Sequence, residues 1–167
     1  METVTSQYAN VEVKIEMTVQ LKDGETFEKF MPFKAHPGDA AFDLMNAEDY
    51  EAIMIPPNGR VLFSAGFKME IPEGWEAQIR PRSGNAIKNG ITVLNTPGTI
   101  DSGYRGNVGV ILYNSNKEKA VTIHRGDKIA QMVIQRVPEV SLKFVDSIET
   151  ETERGESGFG STGVAGK

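Results

Sequence analysis

Residues 11–19 alternate strictly. Val11, Val13, Ile15, Met17 and Val19 are apolar, and Glu12, Lys14, Glu16 and Thr18 between them are polar. A repeat of two sends every apolar side chain to one face, which predicts a strand with one side on a core and the other in water. Short apolar runs recur at 40–44, 53–55, 60–71, 75–80, 91–94, 107–113, 120–123 and 128–137. Turn-forming clusters separate them: Lys22-Asp23-Gly24-Glu25, the loop Ala35-His36-Pro37-Gly38-Asp39, Pro56-Pro57-Asn58-Gly59 and Pro72-Glu73-Gly74. Many short strands with Pro, Gly and Asn turns predict an all-β sandwich or barrel. Only residues 83–90 read as helix, about two turns, with Ser83 as its cap and Gly90 as its end.

From about residue 148 the periodicity stops, and charge and glycine take over. The expected organisation is one β-barrel domain over residues 1–147 and a mobile glycine-rich C-terminal arm over 148–167. At 167 residues the chain suffices for one domain with a real core.

Charge and composition narrow the function. The net charge of −5 argues against broad nucleic-acid binding, which wants a basic face. A phosphate site would therefore be a local cluster of arginines on an acidic protein. There is no cysteine, hence no disulfide and no thiolate metal site. His36 and His124 lack the neighbours a zinc site needs and read as loop residues. No apolar run approaches the ~18 residues of a membrane span, and residues 1–10 carry no signal-peptide core. The expected location is cytoplasmic, with no nucleic-acid or membrane partner.

Four segments carry chemistry. Arg80-Pro81-Arg82-Ser83-Gly84 joins two guanidinium groups through a stiff proline to a predicted helix start, which describes either an anion site or a surface arginine pair with a cap. In the stretch from Asn95 to Gly106, Pro97-Gly98 and Ser102-Gly103 make two bends, and the exposed backbone of such a hairpin can read the edge of a flat base. Asp101 lies between apolar Ile100 and aromatic Tyr104, placed either to take a proton from water or to cap a turn. Arg125-Gly126-Asp127 reads as a type I turn into a strand rather than an adhesion motif, and Gln131 is the polar residue of an apolar run, so it needs a partner. The tail Arg154-Gly155-Glu156-Ser157-Gly158-Phe159-Gly160-Ser161-Thr162-Gly163 combines a cation, a ring, hydroxyls and glycines. It describes either a polar tail or a lid over a nucleotide with several phosphates.

In this order the segments resemble the five motifs of the trimeric dUTPase family: Ala40-Ala41-Phe42-Asp43-Leu44, Pro81-Arg82-Ser83-Gly84, Gly98-Thr99-Ile100-Asp101 through Tyr104-Arg105-Gly106, Gly126-Asp127-Lys128-Ile129-Ala130-Gln131, and Arg154 through Gly163. The resemblance implies a jelly-roll-like, β-clip barrel and a homotrimer with sites shared between subunits. It implies Mg²⁺-dependent hydrolysis of dUTP to dUMP and pyrophosphate by attack of water at the α-phosphorus. By position, Asp101 would be the base that activates the water. Tyr104 would pack under the deoxyribose, and Asn95 with the backbone near Thr99 and Ile100 would read uracil. Arg82, Ser83, Gly84 and Gln131 would hold phosphates, and Asp43 would lie near the metal through water. Arg154, Phe159, Gly160, Ser161 and Thr162 would close over the site, Phe159 stacking on the base.

Ala41, Asn85, Gly103 and Ser157 stand where the family usually has Gly, an apolar residue, Asp and Gly. Gly103 moves the third motif toward the dCTP deaminases, which share the fold. Those enzymes carry a Glu ten residues after the motif Asp, and here that place is Ile111. A third reading, a non-catalytic nucleotide-binding regulator, predicts loss of the base or the arm, and this chain keeps both Asp101 and the arm.

Overall fold

The computed structural model describes residues 11–149 and 151–156. Eleven strands run in the order β1 (Lys14–Met17), β2 (Phe42–Met45), β3 (Ala52–Ile55), β4 (Arg60–Ser64), β5 (Phe67–Glu70), β6 (Trp75–Arg80), β7 (Ile91–Val93), β8 (Gly98–Ile100), β9 (Gly109–Asn114), β10 (Val121–His124) and β11 (Lys128–Arg136). Among the described residues the one α-helix, α1, is Ser83–Asn89, between β6 and β7. All strand pairs are antiparallel. They form a four-stranded sheet β2-β11-β6-β8, a three-stranded sheet β4-β9-β7, and the pairs β1-β5 and β3-β10. The expected all-β class holds, built from small sheets rather than one closed barrel among the described residues.

Apolar alternation drives the assembly. Leu44, Ile55, Phe63, Phe67, Leu112 and Ile129 are essentially buried and belong to one core reached from every sheet. A smaller cluster of Val19, Phe30, Met45 and Ala47 lies beside it. In β1 the predicted alternation is present, and its polar face carries ion pairs to β5, Lys14–Glu70 at 3.1 Å and Glu16–Lys68 at 3.8 Å. Strand pairing covers only Lys14–Met17 of the predicted 11–19 run.

The run at 60–71 is not one strand. It breaks at Gly66, whose φ is +78°, and the chain passes from the β4-β9 pair to the β5-β1 pair. A Cβ there would sit 3.0 Å from that of Val19 and closer still to that of Ala47. The apolar pattern continues through this corner, so periodicity alone hides it. Conversely, Gly98–Ile100 forms strand β8 where only turn chemistry was expected, because it pairs with the outer side of β6.

Helix α1 spans nearly the expected residues, but its N-cap is Arg82, so Ser83 is the first helical residue and makes no capping bond. Gly90 ends it in the left-handed conformation, φ 65°. After β11, residues 137–149 hold no regular secondary structure, and Leu142, Phe144 and Ile148 are exposed.

Candidate active site

Two groups of motif residues emerge, at opposite ends of strand β6. The first lies where β2, β11 and β6 run side by side. Ladder register puts Asp43 opposite Gln131, and Gln131 opposite Arg80. Asp43, only 14 % exposed, holds two cations: Arg82 Nε on Oδ1 at 3.0 Å and Lys128 Nζ on Oδ2 at 2.8 Å. Gln131 donates from Nε2 to the Pro81 carbonyl at 2.8 Å, so its predicted partner is the backbone of the second motif. Arg80 turns to its own strand and donates to Gln78 Oε1. Ser83 and Gly84 are exposed, and a Cβ at Gly84 would meet open space. Asp43, Arg82, Ser83, Gly84 and Gln131 are thus neighbours, with Lys128 added, a residue of the fourth motif to which sequence reasoning gave no role.

The second group follows β8. Thr99 and Asp101 are exposed while Ile100 is anchored in the core. The turn from Asp101 to Tyr104 is closed by Tyr104 N–H donating to the Asp101 carbonyl at 3.1 Å. Arg105 Nη1 donates to the carbonyls of Ser102 and Tyr104, at 2.6 and 3.0 Å. Tyr104 donates its hydroxyl hydrogen to the Asn107 carbonyl at 3.1 Å, and its ring lies where a side chain on Gly106 would have to go. This bonding stiffens the loop and fixes the tyrosine while leaving it 47 % exposed. Asn95 packs against Gly98, whose added Cβ would come within 3.1 Å of Asn95 Nδ2. A built Cβ at Gly103 meets nothing within 4 Å, so the loop does not require glycine there.

An open cavity of about 660 Å³ borders Asp101, walled by Trp75, Ser102 and Val137 and by the carboxylates Glu73, Glu76 and Glu139. Its lining contains no lysine or arginine. Ile100 pairs with Ala77, so Asp101 falls beside Glu76, six residues from Arg82. At strand rise that is roughly 20 Å, several times the spacing of neighbouring phosphorus atoms. Within one chain the two groups therefore lie at opposite ends of β6.

Arg154 is exposed in the described stretch 151–156. Phe159, Gly160, Ser161 and Thr162 lie outside the described residues. Among the described residues no three His, Cys, Asp or Glu side chains gather to hold a metal. Ile111 is a half-buried residue of β9 paired with Leu62, as an apolar strand residue should be. Among the described residues no helix is long and apolar enough to cross a membrane.

The Arg125 turn differs from expectation. Gly126, the third of its four residues, has φ 85°, which belongs to a type II turn and not type I. The Arg125 side chain is 2 % exposed and paired with Glu25 at 2.7 Å, and it donates to the carbonyls of Gln20, Ala47 and Glu48. Hydrogen bonds from Arg125, then Lys29, then the Lys22 backbone hold the Glu25 carboxyl well below the usual carboxylate range. Nothing in the local pattern of residues 20–30 announced this partner a hundred positions away.

Comparison with known proteins points one way. The dUTPase family profile matches residues 28–163. The deoxyuridine 5′-triphosphate nucleotidohydrolase of Clostridium novyi (strain NT) is 54 % identical over 142 residues, covering 84 % of this chain and 96 % of that protein. A solved structure of the Staphylococcus bacteriophage 80alpha dUTPase with dUpNHpp superposes with a TM-score of 0.76 at 27 % identity, covering 92 % of this chain and 99 % of the other. A mutant dUTPase from phage phi11 of S. aureus, described with a structural Mg(II) ion, matches the fold with a TM-score of 0.68 at 23 % identity, over 81 % of this chain and 97 % of the other.

Proposed function

The chain belongs to the dUTPase family and hydrolyses dUTP to dUMP and pyrophosphate; from this premise we propose how its residues divide the work. Asp101 takes a proton from water as that water attacks the α-phosphorus, and the bond from that phosphorus to the bridging oxygen breaks as pyrophosphate leaves. A positioned base of this kind contributes ~10²–10⁴-fold in rate. Uracil meets Asn95 and the backbone of Thr99 and Ile100. Strand β8 is the edge of its sheet, so the backbone groups it turns away from β6 are available to a base edge. Tyr104, fixed by its own hydrogen bond, backs the deoxyribose. Arg82, Ser83, Gly84 and Gln131 take the phosphates.

The single observation that carries the arrangement is the separation of Asp101 from Arg82 along β6. An acid-lined cavity around the base cannot retain a triphosphate alone, and the cations that would do so lie at the far end of the strand. A second subunit must supply them. We therefore read the enzyme as a homotrimer whose sites combine the Asp101 loop of one subunit with the Arg82 cluster of another. Arg154, Phe159, Gly160, Ser161 and Thr162 close over the site, in an arm spanning residues 148–167.

Mg²⁺ fits as an ion carried by the substrate. Asp43 is a lone carboxylate already engaged by two cations, which suits contact through water to an ion held mainly by phosphates. Such an ion supplies charge stabilisation to the departing pyrophosphate. The enzyme acts in the cytosol, where nucleoside triphosphates are made. The test is pyrophosphate release from dUTP, dCTP, dTTP and UTP, with ammonia assayed on dCTP. We expect dUTP turnover alone; ammonia from dCTP would restore the deaminase reading. Truncation after Thr152 should cripple hydrolysis, and full activity would remove the arm from the mechanism.

A further inference from the structure

Lys128 is held more deliberately than a surface lysine needs to be. Strand β11 pairs Gln131 with Asp43 and Ala130 with Leu44, but Lys128, not Ile129, with Met45. One extra residue in β11 therefore shifts the ladder. Without this bulge Ile129 would oppose Met45, and Lys128 would turn to the other face of the sheet. With it, Lys128 shares the face of Asp43.

Three contacts then fix the residue. Asn85 donates from Nδ2 to the Lys128 carbonyl at 2.9 Å, which ties the bulge to helix α1. The Lys128 ammonium lies 4.5 Å from the centre of the Phe33 ring. Phe33 is in turn bridged to Asp43, whose N–H donates to the Phe33 carbonyl at 2.8 Å. Finally Nζ meets Asp43 Oδ2 at 2.8 Å while Arg82 Nε meets Oδ1 at 3.0 Å.

We propose that Lys128 is a positioning residue for Arg82, acting through the shared carboxylate of Asp43. A carboxylate free on both oxygens can grip a guanidinium end-on through Nη1 and Nη2, and that grip would consume the edge an oxyanion needs. By occupying Oδ2, Lys128 leaves Oδ1 as the oxygen that faces Arg82, and Nε is the guanidinium nitrogen nearest to it. The outer Nη1/Nη2 edge is then the one presented to phosphate. The pair of cations also leaves the cluster with a net positive charge, where a lone Arg–Asp pair would be neutral. This rests on the reading that Arg82 binds the phosphates.

The test compares binding of dUpNHpp and of dUMP, by calorimetry with Mg²⁺ present, to the full chain and to Lys128→Met, Lys128→Arg and Arg82→Met. Lys128→Met should bind dUpNHpp roughly tenfold or more weakly, bind dUMP within about twofold of the unaltered protein, and be largely rescued by Lys128→Arg. In the free protein the Arg82 Nε–H resonance, identified by its loss in Arg82→Met, should shift in Lys128→Met. Unchanged dUpNHpp binding by Lys128→Met overturns the proposal. So does weakened binding with an unmoved Arg82 signal, which would make Lys128 a direct phosphate ligand. Equal loss of dUMP binding would reduce it to a folding role. Normal dUpNHpp binding by Arg82→Met would instead defeat the phosphate assignment on which the proposal stands.

Discussion

Subunit mixing gives the most decisive test of the shared site. Asp101→Asn removes the proposed base from one end of β6, and Arg82→Met removes a proposed phosphate cation from the other. Each alters an exposed or half-exposed side chain, so the fold should survive both. Suppose a site takes Asp101 from one subunit and Arg82 from a neighbour, as the roughly 20 Å along the strand demands. In trimers formed at random from equal amounts of the two variants, half of the Asp101 donors are intact. Independently, half of the Arg82 donors are intact. About a quarter of sites are then complete, and activity should recover to about a quarter of the unaltered level from two nearly dead parents. The assay is pyrophosphate release after co-refolding, with differently tagged subunits to confirm that mixed trimers formed. Mixed trimers no more active than their parents would refute the shared site, since a site built within one chain always carries one of the two lesions.

Other consequences are checked one protein at a time. Asp101→Asn should keep dUpNHpp affinity and lose at least ~10²-fold in turnover; near-normal turnover would remove the residue as base. Gly66→Ala should destabilise by roughly 2–4 kcal/mol in denaturant unfolding, because the left-handed φ and the Ala47 methyl both oppose a Cβ, whereas Gly103→Ala should cost little, and equal effects would contradict the geometry. Arg125→Met should lower the thermal midpoint by more than about 5 °C, since it strands Glu25 and three carbonyls. The Glu25 contribution has an acid signature. Its folded pKa is depressed, so its stabilisation is complete above the unfolded value of ~4.3 and is lost as pH falls below that. The stability gap between the unaltered protein and Glu25→Gln should be flat from pH 8 to pH 5 and shrink in stronger acid; a gap that grew on acidification would reverse the assignment.

Local patterns were legible where the physics is local. Alternation found β1, Pro72-Glu73-Gly74 announced β6, and Gly90 announced the end of α1. Failures came where a distant partner decides. The corner at Gly66 is set by Ala47 and Val19 packing against it, and β8 exists because β6 has a free side. Arg125 looked like a turn residue because its side chain's five acceptors come from residues 20–48, far away in sequence. Motif order named Asp43, Arg82, Gln131 and Asp101 as candidates, but spacing along a chain carries no sign of which of them lie together. The role proposed for Lys128 was hidden for a related reason: it depends on one extra residue in a ladder, which only strand register reveals.

One departure from the family pattern becomes intelligible through that register. An apolar residue at position 85 would bury surface but could not reach a carbonyl, whereas Asn85 satisfies the Lys128 carbonyl beside the bulge. The half-buried side chain thus exchanges a little hydrophobic contact for a fixed backbone beneath the Asp43–Arg82–Lys128 cluster. Gly103 needs the opposite account. Its side-chain space is open and its φ is not left-handed, so nothing in the loop demands glycine. The loop is instead held by Arg105 bonding to Ser102 and Tyr104, and by Tyr104 bonding to Asn107. An aspartate there would stand next in the chain to Ser102, which lines a cavity already holding Glu73, Glu76, Asp101 and Glu139.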